Sequence, residues 1–341
     1  MAERAEQQRD SDLRTTRSYS GGSPKQPEEQ RRLLDRLFPD SLRRILKNPL
    51  GLLGSVLLVV FVLVAISAPW LAPPENPGRP YEMTQDGYGS RPQPPNPEAW
   101  SSFPPNWEQH PLGTAAGQYD IYYGLIWGTR TAFQFAVTIV GMAVIIGIIM
   151  GTLAGFFGGW IDDLIMRIVD VIYGFPNLLL PIVLLTTLGS KWPNEIVLII
   201  ALTAFGWINY ARLLRGDILT VKNQEYVTAT RSLGASNLRL MWKHILPNAI
   251  HPVFVLATLN FGSVMVTIAT LSFFGIGLPV GYADWGQLVS FSREWIIGIQ
   301  GDPLRYWYTF VPPAVAITLF VLSFNLIGDA VRDVMDPRQK V

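Results

Sequence analysis

The sequence has no cysteine, so disulfides, thiolate zinc sites and thiol nucleophiles are excluded. It has three histidines, His110, His244 and His251, too few and too scattered for a metal site. Charged residues are scarce at 16%, against about 25% in an ordinary soluble domain. The net charge of +1 gives no global nucleic-acid signature. There is no G-x-x-x-x-G-K-[ST] run, so the chain has no phosphate loop of its own for ATP.

The missing charge leaves long apolar runs in a chain that is 49% hydrophobic. Six uncharged runs occur, at 51–68, 132–161, 171–190, 196–211, 252–283 and 306–328. A helix needs about 20 residues to cross a bilayer, so the runs predict an all-α integral membrane protein with six transmembrane helices. The third helix is expected to begin near Leu164, and Glu195 and Arg212 are placed to snorkel from the ends of the short fourth run.

The resulting organisation is a disordered cytoplasmic tail at 1–30, an amphipathic segment at 31–50, a first span at 51–69 and an outer loop at 70–130. A core with five further spans follows at 131–328, containing a polar loop at 212–250, and a C-terminal tail occupies 329–341. The tail at 1–30 is too polar to bury a core and lacks the apolar centre of a cleavable signal peptide. Segment 31–50 interleaves Leu, Phe and Ile with Arg and Lys, fitting either a helix on a membrane surface or a topogenic charge cluster. Both place the N-terminus inside. The loops at 212–250 and 329–341 then also fall inside, and they carry Arg212, Arg215, Lys222, Arg231, Arg239, Lys243, Arg332, Arg338 and Lys340. That bias agrees with the positive-inside rule, so both termini are expected to be cytoplasmic.

The outer loop is dense in proline between 69 and 107, which forbids regular helix and predicts either an ordered extended cap or a loose linker. Trp100, Phe103 and Trp107 suit an interfacial anchor, and 119–130 an interfacial helix before the second span. Gly147, Gly151 and Gly155 recur every four residues, a spacing that lets helix backbones approach closely. Arg167 and Asp170 lie three apart and can pair on one helix face. No charge lies at mid-span, which argues against an ion-coupled secondary transporter acting alone, although backbone carbonyls can bind sodium. No polar constellation of a membrane-embedded enzyme stands out beyond scattered carboxylates such as Asp162, Asp163 and Asp170.

The stretch 225–248 is too long to be a mere connection between spans. Tyr226, Ala229, Thr230 and Leu233 share one helical face. Gly234 is a left-handed stop, Ser236 an N-cap, Leu238, Met241, Trp242 and Ile245 a second stripe, and Pro247 its end. A helix, a glycine turn and a second helix result. Read physically, the unit either docks a soluble partner or packs back on its own spans.

Glu225-Tyr226-Val227-x-Ala229, Gly234-Ala235-Ser236 and His244-Ile245-Leu246-Pro247-Asn248 resemble the cytoplasmic motif of ABC importer permeases, in the C-type form of the oligopeptide/dipeptide/nickel branch. Asn48-Pro49-Leu50, His110-Pro111-Leu112-Gly113-Thr114, Met166-Arg167-x-x-Asp170, Phe175-Pro176, Leu271-Ser272-Phe273-Phe274-Gly275, Asp284-Trp285-Gly286 and Phe324-Asn325-Leu326-Ile327-Gly328-Asp329 are similar to the same branch, as is the tail from Arg332 to Arg338. The chain departs from the pattern at Thr228 and Thr230, and at Ala115, Gln118 and Tyr119.

The resemblance implies a type I ABC importer permease, not itself an enzyme, with 212–250 as a helix–turn–helix coupling loop. It implies a second homologous permease, two cytoplasmic ATPases that bind ATP and magnesium, an extracytoplasmic substrate-binding protein and surrounding lipid as partners, with no cofactor, metal or nucleic acid on this chain. The setting would be a bacterial or archaeal cytoplasmic membrane. Peptides would be the substrate, with nickel, opines or oligosaccharides as alternatives. Glu225, Tyr226, Ala229, Arg231, Gly234, Ala235 and Pro247 would couple to the ATPases. Asn260, Thr267 and Thr270 are candidates for the translocation path, with ordinary interhelical hydrogen bonds as the competing role.

Overall fold

The computed structural model describes residues 45–335, except 47, 88, 90 and 298–302. The expected tail at 1–30, most of the segment at 31–50 and the last residues, 336–341, lie outside the described residues. Among the described residues, five helices are long and apolar enough to cross a membrane: α1 (Pro49–Leu71), α2 (Ile121–Phe157), α5 (Asn194–Lys222), α9 (His251–Phe273) and α11 (Trp307–Met335). Two shorter helices, α3 (Gly159–Tyr173) and α4 (Leu179–Leu188), lie between α2 and α5.

Glycines set the packing. In α2, a Cβ on Gly151 would stand 3.1 Å from the Ala211 Cα, and one on Gly155 2.8 Å from Ile218 Cγ2. Gly147 lies against Tyr210 and Trp207 in the same register. Ascending numbers on α2 meet ascending numbers on α5, so the two helices run parallel. The chain must therefore return between Phe157 and Asn194, and it does so through α3 and α4. The single third helix expected from Leu164 is instead broken at 174–178. Pro176 explains the break, because proline disfavours helical geometry at the residue before it, here Phe175. α1 and α11 run antiparallel, Gly51 meeting Ala330 and Gly54 meeting Leu326. The first and last long helices therefore begin and end on the same side.

Helix α2 is 37 residues, about 55 Å at 1.5 Å per residue, and so exceeds the hydrocarbon layer of about 30 Å. The interfacial helix expected at 119–130 is the N-terminal end of this one helix. Asp120 caps it, accepting from the Tyr123 backbone at 2.6 Å. Around it the proline-rich segment forms an ordered cap of three short 3-10 turns. Trp127 Nε1 donates to Ala72 at 2.8 Å, and the Tyr123 hydroxyl donates to Pro80 at 2.7 Å. Met83 N donates to Gly281 at 2.7 Å and Ala283 N to Tyr81 at 2.6 Å, tying the cap to the turn after α9. Another helix, α10 (Trp285–Ile297), occupies part of the stretch between the fifth and sixth apolar runs. Its Trp285 is fully buried against Gly128, Phe61 and Phe320.

Candidate coupling surface

Two residues after α5, the chain turns into α6 (Glu225–Ser232). Val227 is its one buried residue, seated among Leu240, Met241 and Ile245. Glu225 stands in the first turn and Arg231 in the last, each favourable to the helix dipole. Thr230 returns its hydroxyl to the Tyr226 carbonyl at 2.7 Å, so this departure from the family pattern is absorbed within the helix.

Gly234 ends the helix at φ 82, with nothing within 4 Å of where a Cβ would stand. Ser236 caps α7 (Asn237–Arg239), accepting from Arg239 N at 3.4 Å. The helix then widens into a π segment, Leu240–Ile245, and continues as α8 (Leu246–Ala249). Pro247 therefore does not end the second helix. It sits in the first turn of α8, where a missing N–H costs little, and the π segment ahead of it takes up the misfit.

The expected apolar stripe is also divided. Met241 and Ile245 are buried, while Leu238 and Trp242 are 66% and 59% exposed. Leu233 is 88% exposed and Tyr226 44%. Burial of Val227 thus fixes the unit from behind, and its outer face presents Tyr226, Ala229, Leu233, Leu238 and Trp242 to the surroundings. Beside the glycine turn lies a depression of about 500 Å³ lined by Thr230, Leu233, Gly234, Ala235, Arg239, Lys243 and His244. The structure thus brings Gly234 and Ala235 to this depression, leaves Glu225, Tyr226, Ala229 and Arg231 on exposed α6, and puts Pro247 on the far arm.

The three path candidates have local partners. Asn260 donates to the Tyr210 hydroxyl at 2.8 Å, tying α9 to α5. Thr267 and Thr270 return their hydroxyls to Ser263 and Val266 of their own helix. Asp170 pairs with Arg212 of α5 and not with Arg167, because α5 packs beside α3. Arg215 holds Asp162 through two nitrogens. These cross-helix pairs join residues distant in sequence, and no local spacing announces them.

In the proline-rich cap, His110 donates or accepts at Asp120 across 2.7 Å, with Asp86 3.4 Å from its other nitrogen. The Asp120 contact raises the His110 pKa above its ordinary value, and burial pushes the Asp120 and Asp284 carboxyls up. Among the described residues no group of histidines and carboxylates could hold a metal ion.

Residues 114–341 match the family described as binding-protein-dependent transport system inner membrane component. The chain belongs to that family. Residues 37–95 also match the N-terminal TM domain of oligopeptide transport permease C. The permease is 34% identical over 304 residues to the dipeptide transport system permease protein DppC of Alkalihalophilus pseudofirmus, covering 88% of this chain and 90% of that one. It is 34% identical over 303 residues to the oligopeptide transport system permease protein OppC of Bacillus subtilis, covering 89% and 90%. Its fold matches a solved structure of the MetNI methionine ABC transporter in inward-facing conformations, with a TM-score of 0.50 and 19% identity over 63% of this chain and 97% of that one. The protein is thus a multi-pass membrane permease component of a binding-protein-dependent importer and works with other transporter subunits, ATPases among them. It is not itself the catalyst, since ATP hydrolysis resides on separate subunits.

Proposed function

We propose that this permease lines a peptide path together with a second homologous permease. Two cytoplasmic ATPases drive the pair, with ATP and magnesium bound on those ATPases, and an extracytoplasmic binding protein delivers the substrate. Peptides are favoured because the similar curated proteins are named as dipeptide and oligopeptide permeases. Both termini face the cytoplasm, and α3 with α4 makes a sixth, broken crossing. The parallel run of α2 and α5 supports that topology, since the chain between them must change sides.

The carrying observation is the exposed helix–glycine–helix unit, whose first arm buries only Val227. Glu225, Tyr226, Ala229, Arg231, Gly234, Ala235 and Pro247 form the coupling element. Closure of the ATPase dimer moves α6, and the spans pass from inward-open to outward-open. Purification of the tagged chain from its native host in mild detergent tests the assembly. Two ATPase chains and a second permease are expected with it. A chain that arrives alone and still transports in vesicles without ATP overturns the reading.

A further inference from the structure

The coupling surface hangs from the end of α5, and a row of cationic contacts fastens α5 to α3 and to the end of α2. Arg215 Nε and Nη2 reach the two oxygens of Asp162 at 2.5 and 2.6 Å, with Asp162 only 14% exposed. Arg212 pairs with Asp170 and lays its guanidinium over the Tyr173 ring, 4.5 Å from the centroid. Lys222 donates to the Phe156 carbonyl at 2.8 Å, satisfying one of the open carbonyls at the end of α2. Residues 212, 215 and 222 fall within about 80° of one another at 100° per residue, so one face of α5 makes all three contacts.

A two-pronged, partly buried guanidinium–carboxylate pair fixes orientation as well as distance, which a point contact does not. Beyond Tyr173 the chain breaks at 174–178 before resuming as α4. A stiff bracket on one side of a break has a mechanical consequence: movement of α5 must carry α3 with it, and the break takes up the difference.

We infer that Asp162 and Asp170 are positioning residues that pass movement of the coupling surface into the broken segment 159–188. The inference rests on the proposed docking of ATPases at 225–248 and adds the route by which their motion reaches the path. α3 and α5 turn as one body during the cycle, and bending is confined to 174–178.

The test uses the whole transporter in lipid vesicles. Asp162→Asn and Asp170→Asn are expected to leave ATPase co-purification and ATP hydrolysis near the parental level. Uptake should fall about tenfold in the double variant, raising the ATP used per substrate, because a neutral amide lacks the charge that holds the fork in place. The swap Asp162→Arg with Arg215→Asp should restore part of the uptake. The natural absence of cysteine allows spin labels at Trp160→Cys and Thr220→Cys. Their separation should stay constant on adding ATP in the parent and change in the double variant. Parental uptake in the double variant, or a 160–220 separation that changes with ATP in the parent, overturns the inference. Failure of the parent chain to hold ATPases at all sinks the docking reading instead, and the two failures are told apart by that measurement.

Discussion

Gly151 lies against the backbone of Ala211, whose Cα would be 3.1 Å from a Cβ placed on the glycine. The contact is backbone to backbone, so no side chain can swing aside to relieve it. Together with Gly147 and Gly155 it holds α2 and α5 at a distance that only hydrogen permits.

Gly151→Val should accordingly destabilise the α2–α5 pair by about 1–3 kcal/mol, the usual cost of overpacking. Thermal unfolding of the purified permease in detergent checks this. Gly141→Val is the control, since nothing lies within 4 Å of a Cβ there and little change is expected. Equal melting of the two variants would remove the argument from close approach.

At Gly234 the limit is conformation, because space is open but φ is 82. Gly234→Ala should cost about 1–2 kcal/mol in loop stability, the penalty for a side chain in left-handed backbone. Gly234→Trp should also obstruct the adjoining depression and abolish uptake while membrane insertion stays normal. Normal uptake by the tryptophan variant would refute docking at this turn.

Val227 is fully buried while the rest of α6 is exposed or half-exposed. Removing its side chain forfeits roughly 1.5–3 kcal/mol of burial on an element otherwise tied to the second arm by one long hydrogen bond, from the Tyr226 hydroxyl to the His244 carbonyl at 3.5 Å. Amide exchange in 225–232 should quicken markedly in Val227→Ala, while exchange in α2 and α5 stays slow. A helix that exchanges as in the parent would mean that α6 is held by something other than Val227.

The proline-rich cap should loosen as pH rises. Asp120, and less strongly Asp86, raise His110 above its ordinary pKa of 6.5, with burial opposing them. The folded cap therefore binds the His110 proton more tightly than the unfolded chain does. That contribution is complete below pH 6.5 and is lost as pH climbs through the raised value. Asp120, pushed up from 3.8 by burial, acts in the same direction at lower pH. Limited proteolysis of residues 91–118 across pH 6 to 9 should show increasing cleavage, corrected for protease activity on a control substrate. His110→Gln should flatten the rise above pH 6.5; an unchanged profile in that variant would exclude His110 as its source.

Much of the protein was legible in the residues themselves. Apolar runs of span length announced the membrane, the glycine repeat announced the α2 contact face, and Gly234 with Ser236 announced the turn between α6 and α7. Each of these is a local property, set by hydropathy, by helical period or by the one residue type that tolerates left-handed backbone. Composition alone also disposed of thiol chemistry.

Tertiary structure decided the rest. Asp170 could reach Arg167 by spacing, yet it pairs with Arg212, because packing of α3 on α5 brings a competing cation from 42 residues away. Leu238 and Trp242 share a helical stripe with Met241 and Ile245 on paper, but the π segment and the seat of Val227 bury only the second pair. The third apolar run reads as one segment and is broken at Phe175-Pro176, and Trp285, which in the sequence lies between the fifth and sixth apolar runs, is buried under Gly128. Sequence spacing reports what a helix can present. Which of its faces is covered depends on chains distant in sequence, and that is settled only when the helices pack.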